Sequence, residues 1–202
     1  MSTTSRTSIS RDDILGTALS LLDDDGVDAV SLAEIARRLG VTQPAMYHHL
    51  DGLEDLWRAL GIEIRQELSD KLAQATIGLA GPAAVRAVAS TWREYALANP
   101  GRYQCTSRHP VGRDADLEAA VDRVLDVIAL SLRAFELSAD QERRAAHTLR
   151  SALHGFVDFE MVDSHPHPDT NDETFDHVIE YVLVAINALA NGELAHLDEE
   201  LL

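Results

Sequence analysis

Residues 31–50, SLAEIARRLGVTQPAMYHHL, contain the most informative helix signals in the chain. Ser31 is followed three residues later by Glu34, a capping-box pattern in which the hydroxyl and the carboxylate satisfy free amides at a helix start. Gly40 supplies the left-handed residue that commonly ends a helix. Between them, four apolar residues share one helical face: Leu32, Ile35, Ala36 and Leu39. The pattern predicts a helix of about two turns.

A second short helix is predicted directly after the first. Thr42 is a typical cap residue, and Pro44 is tolerated in the first turn of a helix. Met46 and Leu50 are one turn apart, so both are expected to point inward. Two short helices separated by Leu-Gly-Val-Thr predict a helix-turn-helix.

Helical patterns continue on both sides of this stretch. Residues upstream predict a helix that begins near Ser10 or Asp12 and ends at Gly26. Asp51 and Gly52 then break the chain before a helix from Leu53 to about Ala75. Further helices are predicted at about 82–98, 101–107, 114–136, 139–162 and 173–190, with a loop over 164–171. The sequence therefore predicts an all-α fold of about nine helices.

Composition limits the classes of protein to which the chain can belong. Its 202 residues suffice to bury a core. Because the single thiol, Cys105, cannot form an internal disulfide, we expect a cytoplasmic protein. The segment Met1–Ser10 has no apolar run, which argues against a secretory signal. The longest apolar stretch, Tyr181–Ala190, is too short to span a bilayer, so no membrane association is expected.

The negative charge of the chain is unevenly distributed. The formal net charge is −17, and residues 151–202 contain twelve acidic residues and no Lys or Arg. Within residues 29–50, by contrast, the only charges are Glu34, Arg37 and Arg38. One short stretch is thus locally positive inside an acidic protein, which suits a local contact with an anionic partner better than unspecific coating of nucleic acid.

The region from about Asp12 to Leu60 resembles the DNA-binding domain of the tetracycline-repressor (TetR) family. The resemblance rests on the helix ending at Gly26, the Leu-Gly-Val turn, and above all the Tyr-x-His spacing in Gln43–His49. It implies a three-helix DNA-binding domain over residues 11–60 and a helical domain for effector binding and dimerisation over residues 61–202. It further implies a regulator, most often a repressor, that binds a palindromic DNA operator as a homodimer and is released by a small-molecule effector.

The recognition helix is predicted to read base edges with its outward residues. Gln43 can pair with adenine, Pro44 and Ala45 can touch a thymine methyl group, and His48 can contact guanine. Tyr47, His49 and Ser31 are better placed for phosphates, which fix register without reading sequence. The predicted DNA-binding residues are Ser31, Arg37, Arg38, Thr42, Gln43, Pro44, Ala45, Tyr47, His48 and His49. Where family members usually carry a Lys at the start of the fourth helix, this chain has Leu53, so a phosphate contact there can come only from backbone amides.

Resemblance is weaker in the second half of the chain. Aromatic and polar side chains on the middle helices are candidates for an effector pocket: Trp92, Tyr95, Tyr103, Phe135 and His147. The His154-Gly155 pair looks like a feature of one C-terminal subfamily, whose last two helices pair with those of a second copy as a four-helix bundle. The predicted dimer interface comprises Gly155, Phe159, Val178, Val182 and Ile186.

Other chemistries have weaker support. His165, His167 and Asp169, with His177 nearby, are metal-ligand types, but the intervening prolines favour an exposed loop and no second cluster completes a site. No nucleophile elbow, glycine-rich phosphate loop or paired-cysteine motif is present, so neither an enzyme nor a cofactor is expected. The alternative to a DNA-binding regulator is an acidic dimeric helical module that binds a small molecule or a partner and has weak or lost DNA binding.

Overall fold

The computed structural model describes residues 9–108 and 114–194, and over these ranges the protein is all-α, as predicted. The described residues form nine α-helices: α1 (Arg11–Asp25), α2 (Leu32–Leu39), α3 (Gln43–Met46), α4 (Leu53–Ala75), α5 (Pro82–Ala98), α6 (Pro100–Cys105), α7 (Ala115–Leu132), α8 (Ala139–Met161) and α9 (Asn171–Ala190). Short 3-10 turns lie at Val27–Ala29, Arg133–Phe135 and Pro168–Thr170. No helix in the described ranges combines the length and apolar character that crossing a bilayer requires.

The helices form two compact units. Among the described residues, the first contains those up to Arg65 and those within 99–118, and the second contains those within 66–98 and from Ala119 onward. In the first unit α1, α2 and α3 pack around a core with the first half of α4. That core includes Ile14, Leu21, Ile35, Met46, Leu56 and Leu60.

The unit boundaries differ from the predicted division at residue 60, which remains a prediction about function. Residue 60 lies inside α4, which is one continuous helix to Ala75. Residues 99–118 join the first unit because α6 packs directly against α1, and Arg102 donates to Asp23 at 2.6 and 2.7 Å. The sequence offered no signal for this contact, because its partners are 79 residues apart.

In the second unit, α5, α8 and α9 pack on one another around an apolar core. The core residues on these helices include Val88, Trp92, Leu153, Phe156, Phe175 and Leu183. Arg93 of α5 is held by two carboxylates, Glu160 of α8 and Asp172 of α9. Its guanidinium also lies 4.9 Å from the ring centroid of Phe175. One cation therefore links three helices of the unit.

Most predicted helix ends are within two residues of the observed ones. The helix predicted over 114–136 is wrong at its C-terminal end, because α7 stops at Leu132 and Glu136 adopts a left-handed conformation with φ 55°. The helix predicted over 101–107 begins one residue earlier and ends at Cys105. The predicted loop over 164–171 contains a 3-10 turn, and Asn171 already belongs to α9.

Candidate nucleic-acid interface

The predicted recognition helix is short, with one α-helical turn over Gln43–Met46 that continues as turns to Leu50. Met46 and Leu50 are buried, as their spacing predicted. Gln43, Pro44, Tyr47 and His48 are exposed, while Ala45 and His49 are half-buried. The segment thus has an inward face that holds it in the core and an outward face free for a ligand, with Tyr47 55% exposed.

Two capping predictions are only partly right. Ser31 caps α2 by accepting from the Glu34 amide at 3.2 Å, but the Glu34 carboxylate accepts from Arg37 and Arg38. These hydrogen bonds lower the pKa of Glu34 to about 2, with Arg37 the larger cause. Thr42 is at the N-cap of α3 without a side-chain cap bond; its carbonyl accepts from Ala45 instead. Nearby cations thus compete for Glu34, and Thr42 keeps its hydroxyl on the exposed side.

The two arginines of the locally positive stretch are both paired with acids. Arg37 is 70% exposed and donates to Glu34 at 2.6 and 2.8 Å. Arg38 bridges α2 to the end of α1 through Asp24 and Asp25, in addition to Glu34. Arg37 can rotate toward a phosphate from this position, whereas Arg38 is held by three carboxylates.

One residue of this surface escaped the sequence analysis. The Arg11 Nη1 atom donates to the His49 carbonyl at 2.8 Å and to Asp55 at 2.9 Å, and its Nη2 atom donates to the other Asp55 oxygen at 2.9 Å. The Asp51 amide also donates to Asp55 at 3.1 Å. Arg11 therefore links α1, the end of the recognition segment and α4. No local pattern could reveal it, because its partners are 38 and 44 residues away.

The first residue of α4 is Leu53, at the position where the family that the sequence resembles usually has a Lys. Leu53 is exposed at its first position, where it offers no charge to a phosphate. Gly52 before it has φ 112°, a conformation that L side chains rarely adopt. The site therefore consists of the exposed residues of the recognition segment, the paired Arg37 and the amides at the start of α4.

Comparison with known proteins bears on this arrangement. Residues 14–60 match the family described as bacterial regulatory proteins, tetR family, and residues 85–182 match the tetracyclin repressor-like C-terminal domain. An uncharacterized HTH-type transcriptional regulator of Mycobacterium tuberculosis is 36% identical over 173 residues, which are 85% of this chain and 79% of the relative. The chain belongs to the TetR family.

Other TetR proteins are similar over shorter stretches or in fold alone. The class D tetracycline repressor of Escherichia coli is 34% identical over 56 residues, 28% of this chain and 26% of the repressor. ActR of Streptomyces coelicolor, solved in complex with (S)-DNPA, superposes with a TM-score of 0.64 at 16% identity over 90% of this chain and 98% of ActR. This TetR protein is thus a transcriptional regulator with a DNA-binding domain, from a class that is not enzymatic.

The predicted effector residues of the TetR regulator do not share one environment. Trp92, Tyr95 and Phe135 are buried in the second unit, and the Tyr95 hydroxyl contacts Glu67 at 3.2 Å. Tyr103 is buried in the first unit with α6. His147 is exposed on α8 and lines a groove of about 430 Å³ between α7 and α8. The groove is otherwise lined by Asp122, Leu125, Asp126, Ala129, Ala139, Glu142, Arg143 and Ala146.

The outward faces of α8 and α9 expose large apolar side chains. Phe159 and Val162 at the end of α8, and Tyr181 and Val184 on α9, are each more than half exposed. Gly155, Val178 and Val182 are half-buried. Ile186 is only 3% exposed, because it packs into the core of its own unit, and little of it remains for a partner. The sequence analysis missed Tyr181 and Val184, although their spacing of three residues places them on one helical face.

The histidines considered as metal ligands and the single cysteine lie in different surroundings. His165 packs against Phe156 in a tilted arrangement with ring centroids 4.5 Å apart, and His177 stacks on Tyr181 at 6.1 Å. In the part of the chain that the structure describes, no three His, Cys, Asp or Glu residues form a group that could hold a metal ion. Burial raises the pKa of Cys105 to about 11, so its thiol stays protonated at neutral pH.

Proposed function

We propose that this TetR regulator is a ligand-responsive repressor that binds a palindromic operator as a homodimer through residues 43–49. The observation that carries the proposal is the two-sided recognition segment, in which Met46 and Leu50 are buried beneath exposed Gln43, Tyr47 and His48. Helix-turn-helix proteins place the N-terminal residues of such a segment in the major groove. Two copies would supply two such segments about one DNA turn apart.

Each exposed residue has a distinct proposed role at the operator. Gln43 would pair with adenine, Pro44 with Ala45 would contact a thymine methyl group, and His48 would contact guanine. Thr42, Tyr47, His49, Ser31 and the paired Arg37 and Arg38 would serve phosphates rather than bases. Of these, Arg37 is the more available cation, because Arg38 also has Asp24 and Asp25 as partners.

Removing a reading side chain is expected to weaken operator binding without unfolding the protein. Gln43→Ala should weaken binding about 5- to 150-fold, because one good base pairing discriminates by about 1–3 kcal/mol. The measurement is a titration against a duplex selected by the unmodified protein from a random-sequence pool. Gln74→Ala, an exposed glutamine on α4, is the matched control and should bind as tightly as the unmodified protein. If Gln43→Ala and Tyr47→Ala both bound the duplex as tightly as the unmodified protein, the assignment of residues 43–49 as the segment that reads bases would be wrong.

The proposed dimer interface is the exposed apolar face of α8 and α9, formed by Gly155, Phe159, Val178, Val182 and Tyr181. A contiguous apolar face on a soluble protein commonly marks a contact with a partner. Residues 151–194 contain nine acidic residues and no Lys or Arg, so two copies would have to meet through the apolar side chains and not through ion pairs within this region.

A charge placed on that face is expected to separate the dimer. Tyr181 is 70% exposed in the single chain, so Tyr181→Asp should leave the fold intact while burying an unpaired carboxylate in the proposed interface. Sedimentation at micromolar concentration should change from dimer to monomer. Ile77→Asp, at an equally exposed apolar residue in the loop after α4, should stay dimeric. A Tyr181→Asp protein that also stays dimeric would place the interface elsewhere.

We further propose that a small organic molecule binds within the second unit, either at the buried Trp92, Tyr95 and Phe135 or in the groove that His147 lines. ActR, solved with (S)-DNPA, supports the proposal by its similar fold. The chain has two tryptophans, so a Trp57→Phe variant reports on Trp92 alone. Compounds that change this fluorescence and lower operator affinity would identify effectors.

The pairing of Arg37 and Arg38 with acids, and Leu53 at the start of α4, favour a second candidate: an acidic dimeric helical module with weak or lost DNA binding. The salt dependence of binding separates the two candidates. Operator binding should give a slope of log K against log[salt] of about −0.9 for each phosphate neutralised. A slope near zero on every duplex would favour the second candidate.

A further inference from the structure

The recognition segment has little intrinsic helical stability. Its α-helix contains four residues, well below the length at which a helix is stable by itself. His49 lies three residues beyond that helix, in the turns that continue to Leu50, and its carbonyl accepts a hydrogen bond from Arg11 at 2.8 Å. The conformation of Tyr47 and His48 therefore depends on contacts outside the segment.

Arg11 and Asp55 supply those contacts as one unit. Two parallel hydrogen bonds of 2.9 Å join the guanidinium to the carboxylate, an arrangement that fixes both groups in orientation. The same carboxylate accepts from the Asp51 amide at 3.1 Å, one residue beyond Leu50. Both the His49 carbonyl and the Asp51 amide are thus anchored, and the turn between them is held from two sides. The Arg11 hydrogen bonds lower the pKa of Asp55, in keeping with a carboxylate that stays charged in this setting.

We propose that Arg11 and Asp55 are positioning residues for DNA recognition, which hold the end of the recognition segment without themselves contacting the operator. The inference rests on the proposed role of residues 43–49. The rival explanation is that Arg11, 39% exposed, binds a phosphate directly. The two explanations differ in what they predict for Asp55. A direct contact makes its negative charge unfavourable to DNA binding, whereas positioning makes its carboxylate necessary.

Asp55→Asn is therefore the decisive variant. It removes a negative charge near the DNA, so simple electrostatics predicts equal or tighter binding. Positioning predicts that affinity for the selected duplex falls about tenfold, the scale of one lost charge-assisted hydrogen bond. Asp12→Asn is the matched control, because it removes the same charge from the exposed residue next to Arg11. It should bind at least as tightly as the unmodified protein.

Arg11→Met completes the comparison. Its binding to the selected duplex should fall by a similar factor, while binding to an unrelated duplex and the salt slope stay unchanged. A slope smaller by about 0.9 would instead show a lost phosphate contact and overturn the proposal. Asp55→Asn binding as tightly as Asp12→Asn would also overturn it. If the unmodified protein selects no sequence from the pool, the proposed function itself is wrong. That outcome is distinct from those that overturn only the positioning role of Arg11 and Asp55.

Amide hydrogen exchange of the free Asp55→Asn protein tests whether general unfolding explains its loss of operator affinity. Positioning predicts faster amide exchange confined to residues 43–52. Faster exchange spread through α1 and α2 would mean that the pair holds the whole unit, and would contradict a specific role at the recognition segment.

Discussion

Gly101→Ala is expected to destabilise the first compact unit by about 3 kcal/mol, the upper end of the usual range for overpacking. Gly101 begins the contact of α6 with α1, where a Cβ atom would overlap the Leu22 carbonyl oxygen and stand 2.9 Å from its carbonyl carbon. It would also stand 3.3 Å from the Gly26 Cα atom. Because these are backbone atoms, the two helices must separate, and no side-chain rotation relieves the overlap. The melting temperature should fall by about 6–12 °C.

Gly16→Ala provides the control for the glycine effect itself. Gly16 lies within α1 and is exposed, and a Cβ atom added to it would meet nothing within 4 Å. Alanine there should stabilise the helix by about 0.5–1 kcal/mol, because it removes the helix penalty of glycine. Opposite shifts of melting temperature for the two variants would confirm that the α1–α6 contact requires glycine. Stability unchanged in Gly101→Ala would show that the helices do not approach so closely.

Arg93→Met is expected to destabilise the second unit by about 3 kcal/mol, the lower end of the cost of leaving one partner of a buried ion pair alone, because this pair is part-buried. Arg93 is 16% exposed and Glu160 is 11% exposed, with hydrogen bonds of 2.5 and 2.8 Å between them. Methionine would also remove the cation from above the Phe175 ring. Among the described residues, the Asn171 side-chain amide at 3.4 Å would remain as the donor to Glu160. Chemical denaturation followed by circular dichroism measures the change.

Two further variants separate charge from packing at Arg93. The double variant Arg93→Met with Glu160→Gln should recover much of the loss, because no uncompensated charge is then buried. Arg143→Met breaks an exposed pair with Asp140 on α8 and should leave stability unchanged. If Arg93→Met were as stable as Arg143→Met, the ion pair would not be what links α5, α8 and α9.

The elements of the fold were predictable because their signals are local. Apolar residues at a spacing of three and four mark each long helix, and Gly40 with φ 67° ends α2 as its position indicated. The bounds of α4 and α5 agree with prediction for the same reason. The inward and outward faces of the recognition segment also followed from spacing alone, since Met46 and Leu50 are one turn apart.

Partner choice within the candidate site was not predictable from local spacing. Arg38 is predicted to bind DNA, and its pairing with acids at the end of α1 could not be predicted from spacing. Glu34 was expected to complete a capping box, but two arginines one turn further along α2 bind it. In both cases several nearby groups could satisfy the same charge, and only their positions in three dimensions select among them.

The all-α class, the helix-turn-helix and the resemblance to the TetR family could be predicted from the sequence, because each depends on residues within one or two turns of each other. The contacts of Arg11, Arg93 and Gly101 depend on tertiary packing, because their partners are 38 to 82 residues away along the chain. Residues so far apart in sequence meet only when helices pack. Which ones meet depends on how the whole set of apolar faces is buried at once.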